Sequence, residues 1–137
     1  LDRDNTCVPL GSSQAPQEVL DWIAEVHAAG ISTCVVSNNI HVREVTRSAR
    51  LLGSQAVACA FKPAPFSVWV ALRKMGVSRG EAVLVGDQVF TDVLAARLAD
   101  VRAILVRPQT RRDLWYARPL RLLERRVLGA HRFEGER

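Results

Sequence analysis

Four short apolar runs, set between stretches of helical periodicity, constrain this chain more than any other feature. They occupy residues 31–36, 56–61, 82–85 and 103–106, and the first three lead into polar clusters. The clusters are Ser37-Asn38-Asn39, Lys62-Pro63 and Gly86-Asp87 with Asp92 further on. Between the runs, apolar residues recur three and four apart, the period of a half-buried helix. Val19, Leu20, Ile23, Val26 and Ala29 make one such stripe, opened at Pro16 and closed by Gly30. Further helices are expected over 40–52, over 64–75 with Phe66, Trp69, Val70 and Leu72 turned inward, and over 91–98. Strands alternating with helices in this way predict an α/β fold with a parallel sheet. The polar clusters then fall at the carboxyl ends of the strands, the edge where open α/β sheets bind ligands.

The first six residues complete that edge. Asp2 and Asp4 stand two positions apart, with Thr6 beyond them. In a strand curling into a loop, residues so spaced face one site. An aspartate can attack phosphorus and split one hard hydrolysis into two steps. A second carboxyl can protonate the leaving oxygen and then take a proton from water. Alone, such a pair reads as a solvated turn; with the three later clusters it reads as a site. Asp87 and Asp92 offer hard oxygen ligands of the kind magnesium takes. Asp92 either serves the metal through water, orients its neighbour, or caps the helix that follows. Ser37 and Lys62 suit the charge that spreads over phosphoryl oxygens during transfer. Asn38 and Asn39 either turn the chain or meet substrate.

Asp2-Arg3-Asp4-Asn5-Thr6, Ser37-Asn38-Asn39, Lys62-Pro63 and Gly86-Asp87 through Asp92, in this order, resemble the haloacid dehalogenase (HAD) superfamily of aspartate-nucleophile phosphatases. The resemblance implies a HAD-like three-layer α/β/α sandwich, with Asp2 as nucleophile and Asp4 as acid and base. It implies Mg2+ held by Asp2, the Asp4 carbonyl, Asp87 and Asp92, and substrate contacts from Thr6, Ser37, Asn38 and Lys62. Thirty residues separate Thr6 from Ser37, and the stretch from Asn39 to Lys62 is 24 residues long. Neither has room for a cap domain, so the capless subclass III is expected. Gly86-Asp87-Gln88-Val89-Phe90-Thr91-Asp92 and the basic tail look like the bacterial branch related to phosphatidylglycerophosphate phosphatases. Arg3 departs from that branch, which usually has an apolar residue there. Only Leu1 precedes Asp2 and the one methionine is Met75, so the first strand is expected to be truncated.

Charge divides the chain. Residues 1–101 carry 9 Lys and Arg against 10 Asp and Glu, whereas residues 102–137 carry 10 Arg against 4 acids. We expect a catalytic domain over 1–108 and a basic tail over 109–137. In the tail, 109–118 reads as a linker, and a short helix begins at Pro119 with Leu120, Leu123 and Val127 on one face. That tail suits peripheral contact with an anionic membrane, beside a substrate with a phosphorylated lipid head group. Nucleic acid is a poor fit, because Trp115, Tyr116 and Phe133 make a weak stacking platform. Alternatives are a phosphatase of a soluble sugar or nucleotide phosphate, or a non-catalytic domain that keeps the fold. Cys7, Cys34 and Cys59 form no C-x-x-C pair and read as buried or near-buried thiols of a cytoplasmic protein. Trp22 and Trp69 are expected in the core.

Overall fold

A computed structural model describes residues 1–110 and 118–129. In chain order it contains α1 (Gln17–Ala28), β1 (Cys34–Val36), α2 (Val42–Leu51), β2 (Gln55–Val57), α3 (Phe66–Met75), β3 (Val83–Gly86), α4 (Leu94–Leu98), β4 (Arg102–Leu105) and α5 (Arg118–Leu128). A 3-10 turn at Arg79–Glu81 precedes β3, and a wide π-type turn at Val89–Val93 runs directly into α4. The expected 109–118 linker lies largely outside the described residues. So do Trp115, Tyr116 and Phe133.

Strands β1 and β2 pair in parallel, as do β3 and β4. The start of the chain joins the two pairs. The Leu1 nitrogen donates to Cys34 O and Val36 N donates to Leu1 O, while Asp2 N donates to Val85 O, each at 2.8 Å. Leu1 and Asp2 therefore lie between β1 and β3, and the edge of Asp2 becomes continuous with the ends of both strands.

Alternation along β1 builds the layers. Val35 packs with Ile23 of α1 and with Val45 and Ala49 of α2. Cys34 and Val36 face the other way, against Ala71 of α3. Leu84 of β3 packs with Val68 and Leu72 of α3 and with Ala95 and Ala96 of α4. Helices α1 and α2 thus cover one face and α3 and α4 the other, the α/β/α sandwich that the family resemblance implies. All of β1 is buried, which explains its unbroken apolar composition.

Several expectations need correction. The second strand ends at Val57, not at residue 61. Cys59 and Phe61 take positive φ values of 49° and 52°, so the chain turns there and carries Lys62 back over the sheet edge. Helix α3 buries Ser67, Val68, Ala71 and Leu72, whereas Phe66 is 66% exposed and Val70 is also on the surface. Periodicity gave the helix but not its rotation, because two neighbouring stripes on α3 are both apolar. Trp22 is exposed, while Trp69 is half-buried and its indole nitrogen lies 3.4 Å from Ala99 O.

Gly86 ends β3 where two elements meet. A Cβ there would lie 2.3 Å from Cγ of Asp92, which no packing tolerates. Gly86→Ala is expected to displace Asp92 and destabilise the protein by roughly 1–3 kcal/mol, the usual range for overpacking. A denaturant melt of the two proteins measures this directly.

Candidate active site

The strand ends bring four separate stretches to one place. Asp2 follows Leu1 at the middle of the sheet, Ser37 follows β1, Lys62 follows the turn after β2, and Asp87 follows β3. Asp2, Ser37, Lys62, Asp87 and Asp92 are all buried. The Lys62 ammonium donates to Asp2 Oδ1 at 2.6 Å and to Asp92 Oδ1 at 2.5 Å. Burial alone would lower the pKa of Lys62, but Asp2 and Asp92 more than offset that, so it is raised from its ordinary 10.5. The lysine is a fixed cation.

Asp2, Asp87 and Asp92 each place a carboxylate oxygen within 4.8 Å of the others. Three buried carboxylates face one ammonium, leaving an excess of negative charge. Burial and the neighbouring Asp2 raise the pKa of Asp92, partly opposed by Lys62. Hard oxygen donors with excess negative charge fit a hard divalent cation. Thr6 Oγ1 lies 3.3 Å from Asp2 Oδ2 and 3.2 Å from Asp87 Oδ1, bridging two of the three. Asp92 also accepts from Gln88 N at 3.1 Å, so it caps the turn that carries it while holding Lys62.

Asp4 stands beside the trio. One oxygen contacts the Arg3 guanidinium and the other accepts from Ser37 Oγ at 3.3 Å. Its pKa is raised, first by burial and then by Asp2, against the pull of Arg3 and Ser37. Asn38 lies against the backbone of Lys62. Its amide donates to Lys62 O at 3.0 Å and accepts from Lys62 N at 2.7 Å, clamping the backbone of the lysine. Asn39 N donates to Ser37 Oγ at 3.1 Å.

With this geometry in hand, similarity to known proteins can be placed on it. A family model described as HAD-hydrolase-like matches residues 60–120. The "Probable phosphatase YqeG" of Bacillus subtilis (strain 168) is 34% identical over 134 residues, covering 98% of this chain and 77% of that protein. The chain belongs to the HAD-like hydrolases.

As a HAD-like hydrolase it is an enzyme of the phosphatase type. A "putative phosphoglycolate phosphatase" of Lactobacillus delbrueckii subsp. bulgaricus shares its fold with a TM-score of 0.63 at 22% identity, over 85% of this chain and 54% of that one. CbbY of Rhodobacter sphaeroides, solved with phosphate, gives 0.59 at 26% identity, over 74% and 50%. This chain spans about half the length of these two solved structures. Among its described residues, the connection from Thr6 to Ser37 holds only α1 and β1, and that from Asn38 to Lys62 only α2 and β2.

Three supports of this HAD-like site escaped the sequence reading. Asn5 sits at φ 63°, a left-handed conformation that asparagine tolerates better than most residues. Its side-chain oxygen accepts from Thr110 N and Thr110 Oγ1 at 3.1 and 2.7 Å, and Gln109 N donates to Asn5 O at 2.9 Å. Residues 109 and 110 are thereby tied to the loop of Asp2–Thr6, beyond the expected boundary at 108. Glu124, buried on α5, accepts from Val89 N at 2.7 Å and Phe90 N at 3.3 Å. It caps the turn carrying Asp92, where a carboxylate is favoured by the unpaired N–H groups. Arg3 is the third. Only the Asn in the first motif carried a hint, as a turn former.

Removing Lys62 leaves its two buried carboxylate partners uncompensated. Lys62→Ala is expected to cost roughly 3–5 kcal/mol of stability in the absence of divalent cation. Because the folded pKa of Lys62 is raised, its contribution is complete below the unfolded value of 10.5 and is lost as pH rises through the folded value. Urea unfolding at neutral pH with a chelator present checks the loss.

Proposed function

We propose that this enzyme is a magnesium-dependent phosphomonoester hydrolase that works through an aspartyl-phosphate on Asp2, and that its substrate is phosphatidylglycerophosphate. The observation that carries the catalytic part is the cluster of Asp2, Asp87 and Asp92 around Lys62, with Asp4 beside it. Asp2, Asp87 and Asp92 would hold the magnesium, which would supply charge neutralisation for the transferring phosphoryl group. An Asp2 oxygen attacks phosphorus, the bond from phosphorus to the leaving oxygen breaks, and Asp4 gives that oxygen a proton. Asp4 then removes a proton from water, which attacks the aspartyl-phosphate and frees inorganic phosphate and Asp2. Lys62 and Ser37 offset charge on the equatorial oxygens. Before substrate arrives, Lys62 orients Asp2 and Ser37 holds Asp4.

Asp2→Asn is expected to lower phosphate release at least about 1,000-fold with the fold intact, since an amide is a poor nucleophile. Chelation should abolish wild-type release and magnesium restore it. Release assays on phosphatidylglycerophosphate and on soluble sugar and nucleotide phosphates separate the lipid from the soluble reading. Full turnover in chelator, or in a deamidation-free Asp2→Asn sample, rejects the mechanism.

The lipid reading is supported by α5 and the charge of the tail. Leu122, Leu123 and Val127 are exposed, with Glu124 between them turned into the core. Ile40 and Phe61, in the loops that carry Asn39 and Lys62, are 71% and 75% exposed. Apolar side chains with nearby arginines suit reversible binding at an anionic surface, where each basic residue contributes about 1 kcal/mol. The enzyme would act at the cytoplasmic face of the membrane, in keeping with its three free thiols. No helix among the described residues is long and apolar enough to cross a membrane. Leu123→Glu with Val127→Glu should lower binding to phosphatidylglycerol-containing vesicles, and turnover of the lipid substrate, by 10-fold or more. Hydrolysis of a small soluble phosphoester should be retained. Cosedimentation at low salt reads the binding, and unaltered binding of the double variant removes the docking surface.

A further inference from the structure

Arg3 is 2% exposed and lies between Asp4 and two residues of α2. Its Nη1 contacts Asp4 Oδ1, its Nη2 donates to Glu44 Oε1 at 2.7 Å, and its Nε donates to Ser48 Oγ at 3.0 Å. Glu44 and Ser48 sit one turn apart on α2. The contacts continue around a ring. Glu44 Oε2 accepts from Asn39 Nδ2 at 3.4 Å, Asn39 N donates to Ser37 Oγ, and Ser37 Oγ donates to Asp4 Oδ2. Both carboxylate oxygens of Asp4 are therefore held, one by Arg3 and one by Ser37.

A buried guanidinium needs its donors satisfied, and a planar fork holds two carboxylates in fixed directions better than an ammonium does. Helix α2 is the rigid body to which that fork is bolted, since Val45 and Ala49 pack beneath Val35 of β1. We propose that Arg3 is the positioning residue of Asp4, fixing the acid–base carboxyl through a clasp onto Glu44 and Ser48 of α2. The inference rests on the acid–base assignment of Asp4 and adds what sets its orientation. Arg3 itself does not face the carboxylates of Asp2, Asp87 and Asp92. Its own partners are Asp4, Glu44 and Ser48.

The test compares two esters with different leaving groups. An alkoxide must receive a proton from Asp4 as its bond to phosphorus breaks and the Asp2 oxygen takes the phosphoryl group. A p-nitrophenolate leaves without that proton. The ratio kcat/KM reads only the steps up to departure of the leaving group, so the later hydrolysis of the aspartyl-phosphate does not blur it. Arg3→Leu is expected to lower kcat/KM for glycerol phosphate by about 10- to 100-fold and for p-nitrophenyl phosphate by less than about 3-fold. Arg3→Leu in an Asp4→Asn background should add no further loss on glycerol phosphate, because the group it positions is gone.

Glu44→Gln loosens only the far end of the clasp on a half-exposed side chain. It should show the same selectivity with a smaller loss, which keeps the test open if Arg3→Leu folds poorly. Equal losses on the two esters, or none on glycerol phosphate, overturn the proposal. Failure of the wild type on both esters would instead remove the phosphatase mechanism. Crystal structures then decide: Asp4 is expected to leave Ser37 in Arg3→Leu, and an unmoved Asp4 overturns the clasp.

Discussion

The buried ammonium of Lys62, held between Asp2 and Asp92, is the interaction on which the site depends. Removing a lysine from water is costly, and two short charge-assisted contacts offset that cost only if all three groups arrive in register. They come from three places: the middle of the sheet, the turn after β2 and the π-type turn after β3. The ion pairs therefore contribute geometric specificity more than net stability. Local charge remains unbalanced, with three buried carboxylates beside one ammonium, a set of hard oxygens that could hold a divalent cation.

Around this centre the backbone departs from regular structure in a way that regular elements could not replace. Strand β2 stops early so that Cys59 and Phe61 can turn the chain, and Asn38 then clamps the Lys62 peptide. Gly86 leaves the space that Asp92 fills. Asn5 adopts a left-handed conformation and is tied down by Thr110. Strained residues gather at sites where neighbours over-determine them. Here those neighbours include the segment after β4 and α5, so the tail braces the centre through Gln109, Thr110 and Glu124.

Consecutive residues of the first motif serve two networks that point apart. Asp2 joins Lys62 and Thr6 beside Asp87 and Asp92, while Arg3 and Asp4 join Ser37, Asn39 and α2. Asp2 and Asp4, two residues apart, thus share one site while the residue between them anchors Asp4 to a helix.

What the sequence determined by itself was periodic or chemical. The alternation of apolar runs and amphipathic stretches dictates a parallel α/β sheet, because each pattern has only one way to bury itself. The acidic pair, the lysine and the later aspartates name their chemistry through residue type and place at strand ends. Tertiary structure decided what depends on distance between remote residues. Whether Phe66 or Ser67 faces the sheet follows from the rotation of α3, which packing sets and periodicity leaves free. Glu124 is one acid in an arginine-rich helix until α5 lies against the N–H groups of Val89 and Phe90. Arg3 looks like an intruder between two aspartates until α2 brings Glu44 and Ser48 to it, since a buried charge takes its meaning from its partners.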